Sequence, residues 1–391
     1  MAALSHFDTP IYLLNTMEYA AMHYSSILPM NDQVRNLSLH ALETEDSLSK
    51  VQALIILSIL AHSTGEARLS RELLEEAARS SFQIHLDKKE FSNAIQGARR
   101  NTVQESARRT WWQLFVLDTL LASLQTGGVL VIKNNHPEVL LPGEDDIFTD
   151  MSGGLANDSI QDLKDRFLFG QERTYSSFTY LVEACLILRD TLTQVRSPDR
   201  VSPGAHQAVD SRLALWFNSL PAEKREVVRY DGSTDETMFL AHLVAHCAGI
   251  YLNLPYSRLT SPMTHVLRLV CRAPGPDTTS PPGTLHTFKL LHAARGITEL
   301  AGLPVPVLAH TPFFICFVVL SSVVHVGACF ALEASIKESH RHHLTLNLSV
   351  LDKMASVWVL ASLSKDNIRQ AAQDVLSVRQ SMDSILDVTE I

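Results

Sequence analysis

Two groups of histidines have the type and spacing that metal chemistry requires. His242 and His246 are four residues apart in an apolar segment, so a helix would place both imidazoles on one face, as in a zinc pair. The residue after His242 is Leu243 rather than the glutamate of the metalloprotease motif, which favours buried core histidines. The run His340-Arg-His-His343 could chelate a transition metal. It lies in a polar segment, so the favoured interpretation is a solvated turn.

An acidic cluster is the sharpest enzymatic candidate. Asp145-Asp146-Ile-Phe-Thr-Asp150 could hold Mg²⁺ for diphosphate chemistry, because Mg²⁺ prefers carboxylate oxygens. The cluster follows Pro142-Gly143, which indicates a loop, and Asn157-Asp158-Ser159 lacks the spacing of a second metal motif. Phosphate-loop, dinucleotide-binding and nucleophile motifs are absent from the sequence. We therefore predict no catalytic residue, no cofactor and no metal site.

The charge balance argues against a nucleic-acid binder. The 391 residues carry 33 Lys and Arg against 42 Asp and Glu, a formal charge of −9. Phosphate recognition usually needs a basic excess. The adjacent basic pairs are Arg99-Arg100, Arg108-Arg109 and Lys88-Lys89, and neutralisation by nearby acids is the favoured interpretation. We expect duplex DNA binding no stronger than that of an acidic control protein.

The five cysteines are scattered, and their number is odd. No Cys-x-x-Cys spacing occurs among Cys185, Cys247, Cys271, Cys316 and Cys329. Single cysteines in apolar surroundings are typical of reduced core residues, which predicts an intracellular protein. The N-terminus has no basic segment followed by an apolar one, so no secretory signal is predicted.

The elements that would position these side chains are helices. Apolar residues recur at helical spacing along most of the chain, and Gly or Pro bounds the segments. The predicted helices include Leu48–Ala61, Ala67–Leu86, Gln104–Gln125, Phe167–Val195, Met238–Arg258, Thr284–Leu300, Phe313–Leu332 and Leu346–Leu386. A long connection is predicted over 133–165 and a Pro-rich loop over 272–283. We expect an all-α fold with one large multi-helix domain over 1–391.

One predicted helix is apolar enough to span a bilayer. Phe313–Leu332 has no formal charge over twenty residues. Ser321, Ser322 and His325 interrupt its middle, and basic anchors are weak on its N-terminal side. The favoured interpretation is a fully buried central helix of a large α-domain, which has the same all-round apolarity.

A specific motif lies in the third long predicted helix. Ala107-Arg-Arg-Thr-Trp-Trp-Gln-Leu-Phe-Val-Leu-Asp118 combines a basic pair, an aromatic pair and an apolar run closed by Leu-Asp. This segment resembles the signature helix of the fungal-specific transcription factor domain, the regulatory middle homology region of zinc-binuclear-cluster activators. The resemblance extends at pattern level over most of the chain, through Leu141-Pro142, Ala241–His246 and Leu351–Trp358.

The sequence departs from the family pattern in two places. Gly127-Gly128-Val129 stands where the family usually has Gly-Arg-Pro. The six closely spaced cysteines of the family's DNA-reading module are missing from the chain. From the residues alone, the signature helix has a structural explanation, because its aromatic side chains are spaced to bury one broad face. We expect Arg108 and Arg109 to pair with carboxylates from another helix.

The resemblance implies a transcription regulator without its own zinc-cluster module. The expected partners are other transcription regulators or coregulators, a small-molecule effector and a second copy of the chain, with no membrane contact. The expected location is the nucleus, with the cytoplasm as the alternative, and the expected context is a fungal biosynthetic gene cluster. The alternative function is a co-opted enzyme or ligand carrier of secondary metabolism, which needs a deep cavity in the helical domain.

Overall fold

The structure is a computed structural model that describes residues 9–24, 31–95, 100–124, 128–133, 137–145, 157–167, 173–196, 203–259, 284–331 and 334–373. The helices of these residues are α1 Ile11–His23, α2 Asn31–Leu42, α3 Leu48–Ser63, α4 Ala67–Gln83, α5 Lys89–Ala94, α6 Arg100–Leu124, α7 Ile160–Asp165, α8 Ser177–Arg196, α9 Pro203–Ser219, α10 Ala222–Arg225, α11 Glu236–Asn253, α12 Thr284–Ala301, α13 Phe313–Ala331, α14 Ala334–Met354 and α15 over 359–373.

The all-α prediction is confirmed. The described ranges contain no β-strand, and their extended pairing is limited to an isolated antiparallel bridge between Val228 and Thr234. Short 3₁₀ turns over Leu254–Tyr256 and Val307–Ala309 complete the regular structure.

The described residues divide into two compact units. The first draws on Met1–Ser123, Gly128–Leu186 and Leu220–Ala241, and the second on Leu124–Gly127, Ile187–Ser219 and His242–Ile391. The single domain over 1–391 stays a prediction.

The first unit is built around α3. Helices α4, α1 and α2 each pack against α3. Ser47 caps α3 by accepting a hydrogen bond from the backbone N–H of Lys50, and Gly65 ends the α3–α4 connection at a φ of 83°. Most of α3 is buried because its apolar residues extend around the helix. This agrees with the predicted apolar helix over Leu48–Ala61.

A buried cation ties α3 to its neighbours. The side chain of Lys50 is only 3% exposed, and its Nζ lies 2.9 Å from Glu76 and 3.3 Å from Asp46. The same ammonium donates to the backbone carbonyls of Leu42 and Thr44. These acceptors offset the cost of removing the charge from water.

The second unit contains the most apolar helix of the described residues. Among those residues two helices are long and apolar enough to cross a membrane, Glu236–Tyr256 and Phe313–Ala331, and 89% and 94% of their apolar 18-residue stretches are buried. In the second unit α13 packs against both α12 and α14. The structure therefore places Phe313–Ala331 as a core helix, as the sequence predicts.

The last predicted helix, Leu346–Leu386, is wrong in its bounds. Helix α14 begins at Ala334 and ends at Met354, and a turn over 355–358 separates it from α15. Trp358 in that turn is 1% exposed, so the turn places an indole in the interior. The Pro-rich loop over 272–283 lies outside the described residues, as do parts of the connection over 133–165.

Candidate functional site

The signature helix α6 forms a closed aromatic core in the first unit. Trp111, Trp112 and Phe115 are each 0% exposed. The Trp112 ring meets Phe115 edge-on at 5.5 Å, and its Nε1 donates a 2.9 Å hydrogen bond to the carbonyl of Leu140. The indole therefore both fills the core and holds the segment that leads to Pro142.

The aspartate that closes the motif has a local structural role. Asp118 is 0% exposed, and its two carboxylate oxygens accept hydrogen bonds from the backbone N–H groups of Val131, at 2.8 Å, and Ile132, at 3.0 Å. Residues 128–133 form neither a helix nor a strand. The carboxylate satisfies the backbone donors there that a strand partner would otherwise take.

A buried glutamate organises the polar side of α6. Glu105 is 0% exposed, and its Oε1 accepts from Arg109 Nε at 3.0 Å and from the backbone N–H of Gly143 at 2.8 Å. Arg109 also donates to the Gly143 carbonyl at 2.7 Å and pairs with Asp145.

The prediction that Arg108 and Arg109 pair with carboxylates from another helix is wrong for the ion pairs that the structure describes. Helix α6 begins at Arg100, so Arg108 and Arg109 lie in its third turn, where Glu105 of the same helix reaches both. A further carboxylate that pairs with Arg109, that of Asp145, comes from the segment after Gly143.

The acidic cluster is only partly described. Asp145 pairs with Arg109, and the positions from Asp146 to Asp150 lie outside the described residues. In the segment Asn157-Asp158-Ser159, which lacks the spacing of a second metal motif, Asp158 pairs with Arg173 at 2.5 Å, and Ser159 caps α7 through a reciprocal bond with Asp162. The described acids thus have partners in the protein.

A small pocket lies beside α6. Its volume is about 40 Å³, whereas sites for drug-sized ligands span about 300–1,000 Å³. It is lined by Leu86, Lys88, Lys89, Phe91, Ala107, Arg108, Val139 and Leu140. Lys88 pairs with Glu138 at 2.7 Å. This pocket is too small for a metabolite-sized effector.

The histidine pair of α11 packs against aromatic rings in the second unit. The His242 ring lies 5.2 Å from Trp216, and that of His246 lies 4.9 Å from Phe217. The ring of His246 also fills the space beside Gly296, where an added Cβ would lie 2.2 Å from its Cε1 atom. These contacts are those of packed histidines.

Three other histidines of the second unit converge. His325 of α13 and His340 and His343 of α14 place one ring nitrogen each within 4.8 Å of the others. Nδ1 of His325 and Nδ1 of His340 are 3.0 Å apart. His325 is 0% exposed and His340 is 7% exposed. Nδ1 of His343 is buried and has no hydrogen-bond partner within the part of the chain that the structure describes.

A chain of buried polar groups continues from the His325 ring. Its Nε2 lies 3.1 Å from Thr298 Oγ1, which lies 2.9 Å from Ser321 Oγ. Ser321 donates to the carbonyl of Ala294 and accepts from Asn347 Nδ2 at 3.2 Å. The chain connects α12, α13 and α14.

The surroundings keep these imidazoles neutral. Burial, with the rings of His340 and His343, holds the pKa of His325 well below its usual value. Burial and the neighbouring His343 lower the pKa of His340 to about 4. Burial also lowers the pKa of His343. Neutral imidazole is the form that binds metal ions.

The predicted solvated turn at His340-Arg-His-His343 is wrong. These residues lie inside α14, and His340 and His343 are on one face because they are three residues apart. The face continues through buried Asn347, Leu351 and Met354. That stripe was a readable signal of a helix, whereas the contribution of His325, from a separate helix, had none in the sequence.

Comparison with known proteins identifies similar sequences. The family described as the fungal specific transcription factor domain matches residues 9–218. The chain is 28% identical over 377 residues to the C6 finger domain transcription factor iacK of Pestalotiopsis fici, an alignment that covers 95% of this chain and 55% of that protein. The chain thus spans about half the length of the curated relative it matches. No solved structure matches the chain.

Proposed function

Because the chain belongs to the fungal specific transcription factor domain family, we propose that it is a regulatory module that controls transcription through contacts with other regulators or coregulators. The observation that carries the proposal is the family match over residues 9–218, which includes the whole of the signature helix. Transcription regulators act in the nucleus, so we propose a nuclear location. We also propose a role in a fungal biosynthetic gene cluster.

DNA recognition is proposed to come from outside these residues. The chain contains five cysteines, fewer than the six of the zinc-cluster module. Of the basic pairs, Arg108 and Arg109 are held by Glu105, and Lys88 by Glu138. Charges that already have partners contribute little to phosphate binding, because binding would have to break those pairs first.

A tethering experiment tests the regulatory role. The chain is fused to a heterologous DNA-binding module, and reporter output is measured in fungal cells with and without candidate metabolites. We expect output to change relative to the module alone, and the change to be lost in Trp112→Ala, which empties the core of the first unit. Arg68→Ala is the matched control, because the Arg68 side chain is 93% exposed. An unchanged reporter in every condition would count against regulation.

The alternative of an enzyme or ligand carrier requires a different observation. Such a protein needs a deep cavity with convergent polar groups. The signature-helix core is closed, and the pocket beside it is about 40 Å³. Deleting the gene and profiling transcripts and metabolites separates the two: a regulator changes the transcripts of several genes, whereas an enzyme changes one metabolite step and leaves transcripts as they were.

The DNA prediction has its own assay. We expect an electrophoretic shift series at physiological salt to show binding no stronger than that of an acidic control protein. Submicromolar binding that weakens steeply with salt would overturn the view that DNA recognition comes from outside the chain.

A further inference from the structure

The histidine cluster of the second unit has the donor set and arrangement of a metal centre. We propose that His325, His340 and His343 bind a divalent transition-metal ion of the zinc class, with a fourth position left to water. Metal binding by this cluster is independent of the regulatory role proposed above. Three imidazole ligands and one open position form a recognised zinc arrangement.

The distances between the nitrogens are close to those that zinc requires. With Zn–N bonds of about 2.0–2.1 Å, ligand nitrogens of a tetrahedral site lie about 3.3 Å apart. The Nδ1 atoms of His325 and His340 are 3.0 Å apart, and all three donor nitrogens lie within 4.8 Å of one another. Closing the site requires the His343 ring to approach by about 1.5 Å. His343 is half-buried, whereas His325 and His340 are buried, so the His343 ring is the one expected to move.

The hydrogen bonds of His325 suit a metal ligand. Metal-bound imidazoles usually donate their second ring N–H to a neighbouring acceptor, which fixes the tautomer. Thr298 Oγ1 lies 3.1 Å from Nε2 of His325, and Ser321 Oγ lies 2.9 Å from Thr298. With Nε2 protonated, Nδ1 of His325 carries no hydrogen and can bind the ion. The hydrogen between the two Nδ1 atoms then belongs to His340. When the ion takes its place, the His340 ring carries its hydrogen on Nε2 instead.

The unpartnered nitrogen of His343 is the second, independent observation. Its Nδ1 is buried and has no hydrogen-bond partner among the described residues, which costs about 1–3 kcal/mol for a polar group. An unpartnered buried nitrogen, on a ring that places a nitrogen within 4.8 Å of the other two imidazoles, is explained by an ion that the three rings share. Such an ion would join α13 to α14 within the second unit.

Cobalt titration of the purified chain tests the site. Co²⁺ reports tetrahedral coordination through its visible absorption, and Zn²⁺ should displace it at one equivalent. We expect wild type to bind one ion and His343→Ala to weaken binding at least about tenfold. His342→Ala is the matched control, because His342 immediately precedes His343 in the same helix and its side chain is 75% exposed. It should bind as wild type does.

Two further measurements keep the result decisive. Circular dichroism of His343→Ala and His343→Gln shows whether each variant is folded before metal is added. X-ray absorption of the zinc-loaded wild type counts its imidazole ligands without any substitution. The proposal would be overturned if wild type bound no metal or if His343→Ala bound it as tightly as wild type. It would also be overturned if His342→Ala and His343→Ala lost equal affinity, or if zinc had fewer than three imidazole ligands.

Discussion

Substitution of Asp118 by asparagine is expected to release the segment after the signature helix. In the wild type each carboxylate oxygen accepts one backbone N–H, from Val131 and from Ile132. Asparagine keeps one acceptor oxygen and presents its NH₂ group to the second donor. One buried N–H then loses its acceptor and faces another donor.

The expected cost follows from this geometry. Asp118 is 0% exposed, so water cannot replace the missing acceptor. A hydrogen bond to a charged group contributes about 1.5–3 kcal/mol, and we expect Asp118→Asn to lower the free energy of unfolding by about that amount. Asp118→Ala removes both acceptors and leaves a cavity, so its cost should be larger, about 3–5 kcal/mol.

Hydrogen exchange gives a local measurement that does not require two-state unfolding. Mass spectrometry of a peptide that contains 128–133 should show faster exchange in Asp118→Asn, and urea unfolding followed by tryptophan fluorescence should shift to lower urea. Asp352→Asn is the control, since the Asp352 side chain is 63% exposed and its pair with Lys365 contributes little to stability. Unchanged exchange in 128–133 for Asp118→Asn would refute the role assigned to the carboxylate.

Three further substitutions test the packing and the charges. Glu76→Gln removes a carboxylate partner from the buried Lys50 and should lower the free energy of unfolding in urea by about 1–3 kcal/mol. Glu72→Gln, on the exposed side of α4, should lower it by only a few tenths of a kcal/mol. Gly296→Ala should lower the free energy of unfolding by about 1–2 kcal/mol, because overpacking against His246 outweighs the gain in helix propensity. Gly249→Ala is the control: its Cβ meets nothing closer than 3.2 Å, and thermal unfolding should be nearly unchanged. Burial lowers the pKa of His62 to about 4, so the unfolded chain takes up a proton near pH 6.5 that the folded chain refuses. The contribution of His62 to stability should therefore be complete above about pH 6.5 and fall by about 1.4 kcal/mol per pH unit towards pH 4, and His62→Gln should make the measured slope shallower by that amount in urea titrations at each pH.

Much of the fold follows from local patterns. Apolar periodicity locates α3, α6, α12 and α13 because each has a continuous apolar surface bounded by Gly, Pro or a capping residue. The bounds of α14 were missed because its N-terminal half is polar on most of its surface. Only the stripe from His340 to Met354 marks it as a buried helix.

The candidate sites were harder to predict because they join distant parts of the chain. Glu105 meets Gly143 across 38 positions, and Thr298 meets His325 across 27. No periodicity links such residues, since their contact depends on how the helices pack. The family resemblance located the signature helix, but the roles of Asp118 and Glu105 in holding the following turns became visible only from their hydrogen bonds.

The polar chain through the second unit also bears on how α13 chooses its orientation. A helix that is apolar on nearly every side could rotate about its own axis and still bury apolar surface. Ser321 and His325 lie four residues apart on one stripe, and their partners Thr298 and Asn347 come from the two flanking helices. A turn by one residue, about 100°, would strand these buried groups at about 1–3 kcal/mol each. We infer that these few polar groups fix the rotation of α13 about its axis. Hydrophobic burial alone would allow several rotations.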